Sequence, residues 1–433
     1  MTLDSRSGAN SPARGGAAPS PLATAATSPS PGAPAPPLPV GIDPLFPTAL
    51  RERLVSLRRE LHRHPELSSH EESTAARLHD ALAELRPVEL RRVAGTGVVA
   101  RIRGLERGAP VITIRGDIDA LPIQEATGLQ YASEVPGVMH ACGHDVHATW
   151  AVGAAHLLVA SPAAGDVLIV LQPAEETGRG ALAILESGAI DDAACIFGGH
   201  VDRRFPVGEV VADAGPLAAS ADTFEIELVG HGAHAARPHE SADPIVGAGA
   251  LIGALQTVVS RRLDPASPGV LTIAILRAGT APNVIPDRAT LGGTVRATEP
   301  AARRLILDEV RRIAEATATA YRLEARVKFE PGTPPLVNPP VPAAWARQAA
   351  ARLLGEHAVV PLGFLNMAGE DFAHYMERIP GCFLRIGARE PAGDPIPAHS
   401  PRFYPAEESI FVGAAVLAEC ARVASREAGR TRP

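Results

Sequence analysis

The sequence predicts an α/β protein: a catalytic α/β domain whose central sheet is flanked by helices, carrying an inserted ferredoxin-like α+β domain that serves as lid and dimerisation surface. Three observations lead there. Strand-like and helix-like runs alternate over most of the chain, which implies a sheet covered on both faces. Between about residues 219 and 330 the order becomes β-α-β-β-α-β, that of a split ferredoxin-like unit. The polar residues capable of chemistry also fall at the ends of predicted strands, where open α/β sheets bind ligands.

Taken in order, residues 1–45 are rich in Ala, Pro, Ser and Gly. A segment of this composition buries too little apolar surface to offset its ordering entropy and reads as a disordered tail. Leu50–His62 has helical spacing and stops near Pro65, and a second helix runs over Glu71–Leu85. Val98–Ile102, Val111–Ile114, Val167–Leu171 and Ala194–Gly198 read as strands, and Asp145–Leu158 and Gly180–Glu186 as helices. In the insert, Phe224–Val229 alternates like a half-buried strand and suits a sheet edge. Ala242–Val259 is helical, Val270–Leu276 and Ala289–Val295 are strands, Ala302–Ala320 is a helix and Leu323–Phe329 a strand. The α/β pattern resumes near Pro331 and ends in the helix Glu407–Arg426. The expected layout is therefore a tail (1–45), a catalytic domain (46–218 and 331–433) and a lid or dimerisation domain (219–330).

The chain has 433 residues, enough for two domains with a sizeable core. Its formal net charge is -7, and its 41 basic residues, all arginine except Lys328, are spread along the chain rather than gathered in a patch. No nucleic-acid partner is expected. No run reaches 18 apolar residues and no signal-peptide pattern opens the chain, so neither a membrane partner nor export is expected. Four cysteines in a chain of this length read as reduced thiols in a cytoplasmic protein.

The chemistry sits at four places. Val111–Ile114 leads into Arg115-Gly116-Asp117-Ile118-Asp119; Val167–Leu171 leads into Gln172-Pro173-Ala174-Glu175-Glu176; Ala194–Gly198 leads into Gly199-His200-Val201-Asp202. The fourth, His140-Ala141-Cys142-Gly143-His144-Asp145-Val146-His147, precedes a helix. Thiolate, imidazole and carboxylate together are ligands for zinc or a similar divalent ion. Adjacent side chains such as Glu175 and Glu176 point different ways, so one can bind metal while the other handles a proton. A thiol-hydrolase alternative would use Cys142 as nucleophile and His144 as base, leaving the other polar residues idle. A binding protein on a hydrolase scaffold is a third possibility. His62, His64, His70 and His147 are expected to serve packing.

With these residues in place, the chain resembles the aminoacylase and carboxypeptidase family of dinuclear metallopeptidases over about residues 48–428, and within it the branch of hippurate hydrolases, auxin-conjugate hydrolases and N-acetyldiaminopimelate deacetylases. Its landmarks include Leu61-His62-Arg63-His64-Pro65-Glu66, Asp117-Ile118-Asp119-Ala120-Leu121-Pro122, Met139-His140-Ala141-Cys142-Gly143-His144-Asp145, and Gln172-Pro173-Ala174-Glu175-Glu176. Later come His234-Ala235-Ala236-Arg237-Pro238-His239, Asn283-Val284-Ile285-Pro286, Gly293-Thr294-Val295-Arg296, Gly369-Glu370-Asp371-Phe372 and His399-Ser400-Pro401. Thr177 and His231-Gly232-Ala233 depart from the glycines usual there, which leaves loop shape and specificity open.

The resemblance implies two divalent ions per chain, zinc first, with manganese or cobalt as alternatives. One would be held by Cys142, Glu176 and His399, the other by Cys142, His144 and His200. It further implies Glu175 as general base and Asp119 as the carboxylate that orients a ligand histidine. His234 would steady the oxyanion, and Asn283 and Arg296 would hold the substrate carboxylate. The implied activity is hydrolysis of the amide bond of N-acyl or N-aminoacyl amino acids, with carboxypeptidase or dipeptidase action on small peptides as the alternative. Dimeric relatives supply the lid histidine across the interface, so a homodimer is expected.

Overall fold

The computed structural model describes residues 38–430, and the tail expected over 1–45 lies outside them up to residue 37. Its predicted boundary runs too far. Leu38 and Ile42 are buried, and a short 3-10 turn at Asp43–Leu45 leads into the chain that follows. Their apolar side chains join the core beside Phe46, which packs edge-on against Phe411.

The chain then forms helices α1 (Thr48–Arg63) and α2 (Glu72–Ala83), strands β1 (Glu89–Val93), β2 (Gly97–Ile102) and β3 (Val111–Asp117), and helix α3 (His144–Ala160). Next come β4 (Val167–Gln172), α4 (Gly180–Glu186), β5 (Ala193–Pro206), β6 (Val210–Val211) and β7 (Gly215–Ala218). α1 ends just before Pro65, since the residue preceding a proline is pushed out of helical geometry.

A second set follows: β8 (Asp222–Val229), β9 (Ala233–His234), α5 (Pro244–Thr257), β10 (Gly269–Ala278), β11 (Val284–Ile285), β12 (Arg288–Ala297), α6 (Pro300–Ala320) and β13 (Glu324–Glu330). β14 (Leu336–Asn338), α7 (Pro340–Leu354), α8 (Phe372–Met376), β15 (Gly381–Arg389) and α9 (Glu408–Arg430) complete the fold.

The large sheet has seven strands in the order β1-β2-β4-β3-β5-β15-β6. β4, β3, β5 and β15 are mutually parallel, while β1, β2 and β6 pair antiparallel. β4 explains why both faces are covered. Its residues alternate across the sheet, so Val167, Ile169 and Leu171 enter a core with α1, α3, α7 and α9, while Leu168 and Val170 enter another with α4 and α8. A strand buried on both faces reads as a continuous apolar run, which is why Val167–Leu171 was legible.

Residues 222–330 build a four-stranded antiparallel sheet, β10-β12-β8-β13, with α5 and α6 packed on one face around Ile226, Leu228, Leu251, Leu255, Ile306 and Val310. This is the predicted β-α-β-β-α-β order. The edge assignment is corrected: β8 (with Phe224–Val229) is an inner strand between β12 and β13, and β10 and β13 are the edges. The alternation seen in β8 reflects one face on α5 and α6 and one face open, a pattern that an inner strand of a single-covered antiparallel sheet shares with an edge strand. By length and composition Pro244–Arg262 could span a membrane, but Leu251, Leu255 and Val258 on it pack into this core.

A candidate dinuclear metal centre

The cluster is assembled at the carboxyl end of the parallel strands. β3 ends at Asp117 and turns through Asp119; β4 ends at Gln172 and turns through Glu175 and Glu176. β5 departs from expectation: it continues to Pro206, so His200 lies inside the strand rather than beyond its end. β15 runs beside it and carries the strand on. α3 begins at His144, and Gly143 before it has φ 89. A side chain there would meet Val201 Cγ2, so the turn that aims Cys142 and His144 needs glycine. Ala174 and His399 also take left-handed backbone conformations, and such strain collects where a site over-determines geometry.

Cys142, His144 and His200 bring potential ligand atoms within 4.8 Å of one another, and so do Cys142, Glu176 and His399. The two sets share Cys142. Cys142 Sγ stands 3.2 Å from His200 Nε2, and His399 Nε2 stands 3.4 Å from Glu176 Oε1. His200 Nδ1 donates to the Val201 carbonyl at 2.7 Å, and His144 Nδ1 donates to the Asp119 carbonyl and to Asp119 Oδ1, both at 3.0 Å. Both rings therefore turn the other nitrogen, Nε2, toward the cluster, the arrangement by which outer partners orient metal-binding histidines. His144 Nε2 and Glu176 Oε1 are buried and have no hydrogen-bond partner among the described residues. Groups of this kind ask for a cation.

The electrostatics agree. Burial alone would keep His144 neutral, but the charge of Asp117 and the hydrogen bond to Asp119 outweigh it and raise its proton affinity well above the usual value. The surroundings of Nε2 thus favour positive charge, and a divalent ion there would meet the same field. The donor set fits a pair of divalent ions sharing the Cys142 sulfur.

Asp119 lies beside His144. It accepts from Ser68 Oγ at 2.7 Å and from the Glu176 amide at 3.0 Å while holding His144. Burial pushes its carboxyl up, yet the His144 and Ser68 hydrogen bonds bring it below the usual range, so it stays ionised. Glu175 is raised well above the carboxylate range, first by burial and then by the charges of Glu370, Asp371 and Glu176. A carboxyl so raised holds a proton more readily, as a general base that must later act as acid requires. Cys142 is also raised, by burial and then by Glu176, which disfavours the free thiolate that a thiol hydrolase needs.

Behind Glu175 lies a network to which the sequence assigned no role. Arg115 donates to Gln172 Oε1 and Asp371 Oδ1, both at 2.7 Å, and to Glu370 Oε1 at 3.3 Å, and pairs with Asp117. The Asp371 amide donates to Glu175 Oε1 at 3.3 Å. Gly369-Glu370-Asp371-Phe372 had marked the place, but a local motif does not say that its carboxylates meet an arginine from β3.

Among the histidines expected to pack, His62 bonds Asp145 at 2.8 Å and Glu125 at 3.3 Å. His147 donates from Nδ1 to Asp117 at 2.6 Å and accepts the Val201 amide at Nε2 at 3.0 Å, leaving no nitrogen for a metal. His64 is half-buried, and His70 is exposed, which corrects its packing assignment; it lies on the turn leading into α2, outside both cores.

The lid residues divide. Arg296, near the end of β12, lines the cavity of about 650 Å³ that also holds Cys142, Glu175, Glu176, His200 and His399. His234 and Asn283 line a different depression of about 750 Å³, where β9 pairs with β11 and the Ala235 amide donates to the Asn283 carbonyl at 3.0 Å. His234 is exposed, and its Nδ1 accepts the Ala236 amide at 3.1 Å, so the neutral ring carries its proton on Nε2.

Residues 113–423 match the model of peptidase family M20/M25/M40. The chain is 43% identical over 379 residues to an N-acetylcysteine deacetylase of Bacillus subtilis, covering 86% of this chain and 97% of that one. It is 34% identical to thermostable carboxypeptidase 1 of Saccharolobus solfataricus, covering 84% and 93%. A crystal structure of a dinuclear metal-binding M20 peptidase from Bacillus subtilis superposes with a TM-score of 0.78 at 39% identity, covering 88% of this chain and 99% of that one. The chain belongs to peptidase family M20/M25/M40 and is a hydrolase of amide bonds.

Proposed function

We propose that the protein hydrolyses the amide bond of N-acyl or N-aminoacyl amino acids with two divalent ions held by Cys142, His144, His200, Glu176 and His399. The observation that carries this is the pair of ligand sets sharing Cys142 beside the half-buried Glu175, whose proton affinity is raised. Bound there, the ions would supply Lewis acidity toward the carbonyl and make a water at the site far more acidic than bulk water. The thiolate favours zinc over manganese or cobalt by softness.

Glu175 receives the proton of the attacking water and returns it to the leaving nitrogen. Arg296 lies in the same cavity and its side chain makes no hydrogen bond or ion pair to the described residues, so its planar fork is open to a carboxylate beside the scissile amide. His234 offers an Nε2–H donor to the oxyanion. Since His234 and Asn283 do not line the cavity of their own chain, the reading is a homodimer in which the lid of one subunit completes the site of the other. Short peptides with a free carboxyl end would be held in the same way, and the similarity to a carboxypeptidase supports that second reading. Four buried free cysteines suit a reducing, cytoplasmic setting.

The test is a hydrolysis panel of N-acetyl and N-benzoyl amino acids, dipeptides and their carboxamide forms, on metal-replete protein with and without chelator. Turnover is expected on the free acids, far less on the carboxamides, and none after chelation. Turnover that survives chelation, or equal rates on acid and carboxamide, would refute the reading.

A further inference from the structure

Four arginines line the metal cavity besides the ligands: Arg203, Arg204, Arg296 and Arg385. Two are fully engaged. Arg203 donates to the Ala388, Asp394 and Tyr404 carbonyls and pairs with Glu390 at 2.9 Å. Arg204 grips Asp202 through Nε at 2.9 Å and Nη2 at 2.6 Å. Arg385 differs. It is 6% exposed, sits on β15 in register with His200, and its side chain, 5.7 Å from the Phe383 ring centre, makes no hydrogen bond or ion pair among the described residues. Its Nε is buried without a partner.

The nearby carboxylates cannot answer it, because Asp202 is taken by Arg204 and Glu370 by Arg115 and the Phe372 amide. A buried guanidinium left in this state is costly to the fold. A charge kept in a cavity without a protein counterion is a candidate binding group. Arg296 already serves one carboxylate in the reading above, on which this inference rests.

We propose that Arg385 binds a second carboxylate, so that the preferred substrate is a dianionic N-acyl amino acid. The second acid would stand either on the amino-acid side chain or at the far end of the acyl group.

Two matched pairs separate the sources: N-acetylglutamate against N-acetylglutamine, and N-succinylalanine against N-butyrylalanine. Dissociation constants are measured by calorimetry on metal-replete protein carrying Glu175→Gln, so that binding is read apart from turnover. The dianion of at least one pair should bind roughly 10–100-fold tighter than its neutral partner, as a charge-assisted hydrogen bond in a buried site allows. The first pair winning assigns the acid to the side chain, the second to the acyl group. Adding Arg385→Met should abolish the preference while the melting temperature holds or rises, because an unpaired buried charge is removed; Arg385→Lys should keep part of it. No preference in either pair, or a preference that survives Arg385→Met, overturns the inference. Turnover of the same compounds by the wild-type protein tests the amidohydrolase reading separately: dianion preference without hydrolysis would sink that reading and leave Arg385 as an anion site.

Discussion

Glu175 and Cys142 carry the most specific expectations at the scale of single residues. Glu175 shares its surroundings with Glu370 and Asp371, and these charges together with burial raise its proton affinity. Glu175→Gln is nearly isosteric and removes only the proton acceptor. It should keep metal content while turnover falls roughly 10²–10⁴-fold, the usual contribution of a general acid–base group. Steady-state rates within a few-fold of wild type would remove Glu175 from the role. Cys142 belongs to both ligand sets, whereas His144, Glu176, His200 and His399 each belong to one set of the pair. Elemental analysis of replete wild-type protein should find about two ions per chain, and Cys142→Ser should lose more metal than any of the four single-set substitutions. One ion or none in the wild type, or a greater loss from His200→Ala than from Cys142→Ser, would break the shared-sulfur arrangement.

The contact between β3 and α3 decides the site at the scale of elements. Gly116 lies where the strand meets the helix backbone, and a methyl group there would collide with the His147 carbonyl. The collision is with backbone, so it cannot be relieved by a rotamer change. Gly116→Ala should destabilise the protein by about 1–3 kcal/mol, the usual cost of overpacking. It should also lower metal affinity, because His144 begins the same helix and Asp117 ends the same strand. Denaturant melts and metal titration check both, and an unchanged midpoint would mean that the helix is free to move. The alternating and continuous apolar runs made β3, β4 and α3 legible in sequence, since each is a local pattern of burial. β15, with the Arg385 that lies beside His200, was not distinguished, because nothing local in Gly381–Arg389 says which strand it will pair with.

The lid raises the question that belongs to the whole molecule. His234 and Asn283 share one depression and Arg296 another, although all three belong to the same sheet-and-helix unit. Val270, Ile275 and Leu276 on the edge strand β10 are exposed, as are Ile245 and Val246 on α5. An unpaired, apolar strand edge is a surface for a second copy about a two-fold axis. If His234 acts across that interface, Glu175→Gln and His234→Ala homodimers should each be nearly inactive. Remixed heterodimers gather both lesions into one site and leave the other intact, so mixing should restore activity up to about half the wild-type rate per heterodimer by this counting of sites. Heterodimers confirmed by tagged co-purification that stay inactive would mean that the histidine serves its own chain.

The sequence by itself determined the alternating α/β pattern, the β-α-β-β-α-β insert and the kinds of residue that follow the strands. Those features depend on short-range periodicity and on which residues follow a strand, and both are written locally. Tertiary structure decided what depends on partners distant in the chain. β8 is an inner strand because β12 and β13 flank it, although its alternation alone suited an edge. His200 lies within β5 because β15 extends the ladder past it. Arg115 meets Asp371 across 256 positions of sequence, and that meeting lines up the carboxylates behind Glu175. The Arg385 side chain has no ion-pair partner among the described residues, while Arg204 and Arg115 hold Asp202 and Glu370. A hydrogen-bond inventory of this kind is settled by competition among side chains in three dimensions, and no local pattern in the chain encodes its outcome.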